Sequence, residues 1–234
     1  MATEQAAPNR RRSVTFSGVT HAPLPARVVL LDWDGTLLNS YLADVHAYLA
    51  MFRALEIDWG VEELERCYTP DWYEVYRQAQ IPRSQWARAN RLWRFAYRAE
   101  RPRLLPGARW VVRELARRFT LGIVTSGSCG RVRRQLRELQ LQKHFATCVY
   151  SEDASRRKPH PAPLQLALER LGTKPGDAVY VGDTSEDIEM ARRARVRAIG
   201  VFGPFPTAAR IRRARPDRLL RSIRDLPQHL RLPD

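Results

Sequence analysis

Two aspartates two positions apart, Asp32 and Asp34, close the apolar run Val28-Val29-Leu30-Leu31 and are followed by Gly35 and Thr36. A glycine at that point permits the tight turn that aims both carboxylates at one site. One carboxylate of such a pair can attack phosphorus, while the other protonates a leaving oxygen and then activates water. Aspartates are also ordinary turn residues, so the pair alone decides little. Three further segments share its setting. Thr125-Ser126-Gly127 follows the apolar run Leu121 to Val124 and precedes a helical stretch, where hydroxyls and unpaired backbone N–H groups suit phosphoryl oxygens. Lys158 lies in Arg157-Lys158-Pro159-His160-Pro161, and its ammonium is a compact charge able to neutralise a nucleophile and a bound phosphoryl group. His160 beside it reads as a packing residue or one that supports the site from behind, not as a ligand. In Val181-Gly182-Asp183-Thr184-Ser185-Glu186-Asp187, Asp183 can coordinate a hard cation and Asp187 falls near the same pocket, with oxygen donors of the kind Mg2+ prefers. Glu186 and Glu189 are expected to face solvent or the helix dipole.

Composition sharpens the lysine. Of 40 basic residues only Lys143, Lys158 and Lys174 are lysines, so a lysine in this loop marks a place where a guanidinium fork would not serve. The formal charge of +15 comes from arginines spread along nearly every helical stretch, which points away from nucleic acid as the main partner. Cys67, Cys129 and Cys148 are an odd number without a close pair and suit reduced thiols. With 234 residues, 44% of them hydrophobic, the chain can bury one full core and a modest second lobe. It carries no long apolar run and no secretory h-region, so no membrane partner and a cytoplasmic address are expected. The oligomeric state stays open.

The elements that must position these residues follow from the apolar runs. Residues 28 to 31, 121 to 124, 148 to 150, 178 to 181 and 198 to 202 read as strands buried on both faces. Helical stretches alternate with them at about 108 to 118, 130 to 140, 161 to 171, 186 to 194 and 207 to 214. This order predicts an α/β fold, a parallel sheet with helices on both faces and ligands at the carboxyl ends of its strands. Residues 40 to 103 interrupt the alternation with helical runs at 41 to 55, 71 to 79 and 84 to 99, and form a second, inserted domain. Residues 1 to 26, with Arg10 to Arg12, read as a flexible basic arm.

With these four segments in this order, residues 27 to 230 resemble the haloacid dehalogenase superfamily of phosphohydrolases. Leu105-Pro106-Gly107, Ser151-Glu152-Asp153, Pro216-Asp217 and Asp225-Leu226 make the chain similar to the phosphoglycolate phosphatase-like branch. The resemblance implies a Rossmann-like core over 27–39 and 104–234, with a mobile helical cap over 40–103 hinged near 38–41 and 101–105. It implies Asp32 as nucleophile and metal ligand, and Asp34 as acid/base and as metal ligand through its carbonyl. Thr125 and Ser126 would bind the phosphoryl group, Lys158 would serve nucleophile and phosphate, and Asp183 would ligate Mg2+ with Asp187 in support. The implied activity is hydrolysis of a small phosphorylated substrate through an aspartyl phosphate. Asp34 argues against the dehalogenase branch, which lacks a second aspartate. The absence of lysine between 40 and 103 argues against phosphonatases, which use a cap lysine. Sugar-phosphate mutases share all four segments and stay open, as does a different class, an arginine-rich module binding nucleic acid or an acidic partner. Among cap residues, Trp72, Tyr73, Arg77, Trp86, Arg88 and Arg91 are candidates for reading the leaving group, none preferred.

Overall fold

A computed structural model describes residues 22–233. Six strands make one parallel sheet: β1 (Val28–Leu31), β2 (Thr120–Val124), β3 (Thr147–Val149), β4 (Ala178–Gly182), β5 (Arg197–Val201) and β6 (Arg218–Leu220). Their spatial order is β3-β2-β1-β4-β5-β6, every neighbouring pair parallel. The chain therefore winds outward from β1 in both directions, which opens a crevice beyond the carboxyl ends of β1 and β4. The edge strand β6, Arg218-Leu219-Leu220, has too little apolar sequence to stand out from its helical surroundings.

Helices α1 (Tyr41–Ala54), α2 (Val61–Cys67), α3 (Trp72–Gln78) and α4 (Trp86–Tyr97) lie between β1 and β2 in the chain. Helices α5 (Ala108–Leu115), α6 (Cys129–Glu138), α7 (Ala162–Arg170), α8 (Ser185–Arg193) and α9 (Ala208–Arg213) flank the sheet. Successive side chains of a strand point to opposite faces, and here both faces are covered. Val29, Leu31, Leu121, Ile123, Val179 and Val181 pack with α5 and α6 on one side. Val28, Leu30, Val124, Ala178 and Tyr180 pack with α7, α8 and α9 on the other. That double burial is why the central strands are apolar at consecutive positions.

The inserted helices have a core of their own, built on Val45, Met51, Phe52, Leu64, Val75 and Ala89. Helix α2 was not apparent in the sequence because its seven residues, VEELERC, present only one buried side chain, Leu64. The two chain crossings into this lobe lie side by side, with Leu38–Asn39 antiparallel to Arg103–Leu104. At the other end of the sheet Leu24–Pro25 pair in parallel with Leu230–Arg231, and Ala26 is buried. Ordered structure thus begins before residue 27, and the last residues assigned to a basic arm belong to a strand pair. Residues 1–21 of that arm, Arg10 to Arg12 included, lie outside the described residues. Among the described residues no helix is long and apolar enough to cross a membrane, and Cys67, Cys129 and Cys148 are free.

Leu30 is fully buried at the centre of β1 between two strands and a helical layer. Leu30→Ala is expected to cost ~2–5 kcal/mol in urea unfolding, and a loss under ~1 kcal/mol would show that β1 is not the packing centre.

Candidate active site

The carboxyl ends of β1, β2 and β4 and the loop after β3 converge on one buried group of charges. Asp32, directly after β1, donates its backbone N–H to the Val181 carbonyl of β4 at 2.9 Å, which fixes where its side chain leaves the sheet. The Lys158 ammonium lies 2.7 Å from Asp32 Oδ1 and 2.8 Å from Asp187 Oδ1, and only 3% of the lysine is exposed. Asp187, in the first turn of α8, is held by four donors. Tyr180 Oη and Lys158 reach its Oδ1, and the Thr184 amide and hydroxyl reach Oδ2 at 3.1 and 2.7 Å. Asp187 therefore seats the lysine, and its oxygens are already engaged.

Asp183 differs. Thr36 Oγ1 donates to Oδ1 at 3.1 Å, but Oδ2 is buried with no hydrogen-bond partner. Gly35, at φ +78°, packs against it: a Cβ there would fall 2.3 Å from Asp183 Oδ2. Only glycine fits that backbone conformation and that gap. Asp32, Asp183 and Asp187 each offer an oxygen, and the three atoms lie within 4.8 Å of one another. Three buried carboxylates face one ammonium, an excess of negative charge beside an unsatisfied oxygen, which suits a hard divalent cation. Burial foremost, with Asp187 and Asp34 adding, lifts the Asp32 carboxyl to about 7 despite Lys158. Burial, then Asp32 and Asp187, push Asp183 well above the carboxylate range.

Asp34 has a different environment. Arg131, in the first turn of α6, grips it with both nitrogens, Nη1 to Oδ1 at 2.8 Å and Nη2 to Oδ2 at 2.6 Å. Burial alone would raise the Asp34 carboxyl, but the guanidinium's charge and hydrogen bonds outweigh it and hold the group below its ordinary value. Thr125 is buried beneath this site and accepts the Gly127 amide at 3.0 Å, which leaves its hydroxyl proton free to donate. Ser126 is half-buried and lines the same cavity, which measures about 330 Å³.

The helical lobe closes over this cavity. Its walls include Asp44, Tyr48, Trp72, Tyr73, Asn90 and Trp93. Asp44 faces Asp34, and withdrawal from water, then that neighbour, push its carboxyl up to about 7. Thr69 donates to Glu186 Oε1 at 3.0 Å, so Glu186 binds the lobe instead of facing solvent. His160 is exposed and its Nδ1 accepts the Ala162 amide at the start of α7, a helix-end contact rather than packing.

A model of haloacid dehalogenase-like hydrolases matches residues 29–201, a stretch holding all of these side chains. The chain belongs to that family. Within the family it is 34% identical over 118 residues to a phosphoglycolate phosphatase of Escherichia coli K12, covering 50% of this chain and 47% of that protein. The match thus spans about half the length of that relative. It is 26% identical over 204 residues to the pyrophosphatase PpaX of Oceanobacillus iheyensis, covering 86% of this chain and 94% of the other. In fold it is similar to a predicted phosphoglycolate phosphatase from Haemophilus somnus, with a TM-score of 0.78, 21% identity and 87% and 97% of the two chains covered. CbbY from Rhodobacter sphaeroides, solved with phosphate, gives 0.75, 24%, and 86% and 96%.

All seven residues singled out in the sequence lie in this part of the dehalogenase-like fold: Asp32, Asp34, Thr125, Ser126 and Lys158, with Asp183 and Asp187. Of the cap candidates, Trp72 and Tyr73 line the cavity, while Arg77, Trp86, Arg88 and Arg91 are not among its lining residues. Arg131, Arg157 and Asp44 went unnoticed. A position in the first turn of the helix after Thr125-Ser126-Gly127 was the available signal for Arg131.

A carboxyl raised from 3.8 to about 7 binds protons more tightly folded than unfolded, so its contribution is fully present below 3.8 and is lost as pH rises through about 7. Asp44 and Asp183 act in the same direction, and the lowered Asp34 matters only at more acid pH. Without a divalent cation, the melting temperature should therefore fall between pH 4 and 7, and added Mg2+ should raise it more at pH 7 than at pH 5. A Mg2+ shift independent of pH would contradict the charge crowding described.

Proposed function

We propose that the protein hydrolyses a small phosphate monoester through an aspartyl phosphate on Asp32, with Mg2+, in the manner of its phosphoglycolate phosphatase relatives. The observation that carries this reading is Lys158, buried against Asp32, beside a carboxylate oxygen of Asp183 that has no partner. Asp32, Asp183 and the Asp34 carbonyl would hold the cation, and Asp187 would hold Lys158. When bound there, Mg2+ would supply charge neutralisation and would favour the ionised form of Asp32 at neutral pH.

The chain's own groups divide the rest of the work. The ester phosphoryl group rests on the Thr125 and Ser126 donors and on Lys158. Asp32 attacks phosphorus in line, its oxygen–phosphorus bond forming as the ester oxygen leaves. Asp34 gives that oxygen a proton and regains one from the water that attacks the aspartyl phosphate, returning Asp32 and free phosphate. Arg131 favours the ionised form of Asp34, the form required in the second step. For the first step Asp34 must carry a proton, so it must leave the guanidinium fork. Closure of the helical lobe keeps bulk water from the intermediate while this happens.

Asp32→Asn should abolish turnover while leaving the melting curve cooperative, and Asp34→Asn should lower kcat by roughly 10²–10⁴. Chelation should stop phosphate release and Mg2+ should restore it. Near-normal activity of Asp32→Asn in a steady-state assay would exclude the mechanism.

A further inference from the structure

Three half-buried or buried cations line the cavity, and two of them are committed. Lys158 has Asp32 and Asp187, and Arg131 has Asp34. Arg157, the residue before Lys158, has none. Among the described residues its side chain finds no hydrogen-bond acceptor and no carboxylate within ion-pair distance, and its Nε is buried without a partner. Of the acidic residues of the lining, Glu152 accepts the Cys129 amide and Asp44 faces Asp34, Arg131 and Tyr68, while Asp32, Asp34 and Asp183 belong to the charged cluster around Lys158 and Arg131.

What Arg157 does touch is a pair of rings from the cap. Its guanidinium carbon lies 4.4 Å from the Trp72 ring centre and 4.5 Å from that of Tyr73. Tyr73 stacks in turn on Trp86 at 4.6 Å, and the Trp86 indole N–H is fixed to the Ile81 carbonyl. The rings orient the guanidinium plane and supply no acceptor for its five N–H groups. A planar fork held this way matches a carboxylate or phosphate in two parallel hydrogen bonds, which a lysine cannot do.

We propose that Arg157 is the specificity-determining residue of the site, reading a second anionic group, carboxylate or phosphate, carried by the leaving group of the substrate. This rests on the phosphatase reading above and narrows its substrate class. The cation comes from the core loop, one residue from Lys158, and the cap contributes the rings that aim it. An ester lacking the second anion leaves the fork unsatisfied in a closed pocket and is disfavoured for that reason.

Phosphoglycolate and ethyl phosphate differ only in a carboxylate against a methyl group, and calorimetry on the full-length Asp32→Asn protein with Mg2+ compares their binding without turnover. Phosphoglycolate should bind roughly 10- to 100-fold tighter. Adding Arg157→Met should bring the ratio near one, and Arg157→Lys should give an intermediate ratio, because it keeps the charge and loses the fork. Ethylene glycol bisphosphate in place of phosphoglycolate distinguishes phosphate from carboxylate as the preferred second anion. Equal binding of phosphoglycolate, the bisphosphate and ethyl phosphate in the parent would overturn the proposal. So would a preference unchanged by both Arg157 variants, which would make Arg157 only a clasp for the cap. Phosphate release by the wild-type chain is measured separately: anion-selective binding without any release would sink the phosphatase reading and leave the role of Arg157 standing.

Discussion

The structure depends on one buried ammonium. Lys158 lies with almost no solvent access between Asp32, at the end of β1, and Asp187, at the start of α8. A buried charge is tolerable only when its partners are complete, and removing one partner strands the others. The strand order is what supplies those partners. Because β1 sits between β2 and β4, the segments after all three strands open on the same crevice, and the loop after β3 reaches in from the side. Tyr180 ties the arrangement together from below, its hydroxyl meeting both the Val124 carbonyl of β2 and Asp187. The same convergence leaves more carboxylates than cations, and it is this imbalance that makes a divalent cation the natural complement.

The cap contacts the core through residues adjoining the charged cluster. Arg157, which meets Trp72 and Tyr73, precedes Lys158; Glu186, which meets Thr69, precedes Asp187. Arg131 holds Asp34 on one side and lies 5.0 Å from the Tyr97 ring on the other. Phe205 of the core stacks on Tyr68 of the cap at 4.6 Å. A displacement of the cap would therefore act one residue away from Lys158 and from Asp187. The seam thus combines guanidinium–ring contacts, the packing of Phe205 against Tyr41 and Tyr68, and a few hydrogen bonds.

The sheet was legible in the sequence because it is covered on both sides. Val28 to Leu31 and Ala178 to Val181 are uniformly apolar for that reason, and Asp32, Thr125 and Asp183 announce themselves by following such runs. Strand β6 and helix α2 were not legible, since each buries little of its own surface. Lys158 stood out as a rare lysine in an arginine-rich chain. The same background concealed Arg131 and Arg157, whose roles depend on what faces them across a fold and not on local pattern. Asp187 is the instructive case: spacing brought it to the carboxylate cluster, but only its four donors reveal that it holds the lysine.

The proposed chemistry turns on a bond between Asp32 and phosphorus. Borohydride reduction of acid-quenched enzyme, taken during steady hydrolysis, converts a phosphoaspartate to homoserine, and peptide mass spectrometry locates it. Homoserine at position 32 alone, dependent on both substrate and Mg2+, is the predicted result. Sustained phosphate release with no modified residue at position 32, or with the modification at another aspartate, would contradict it.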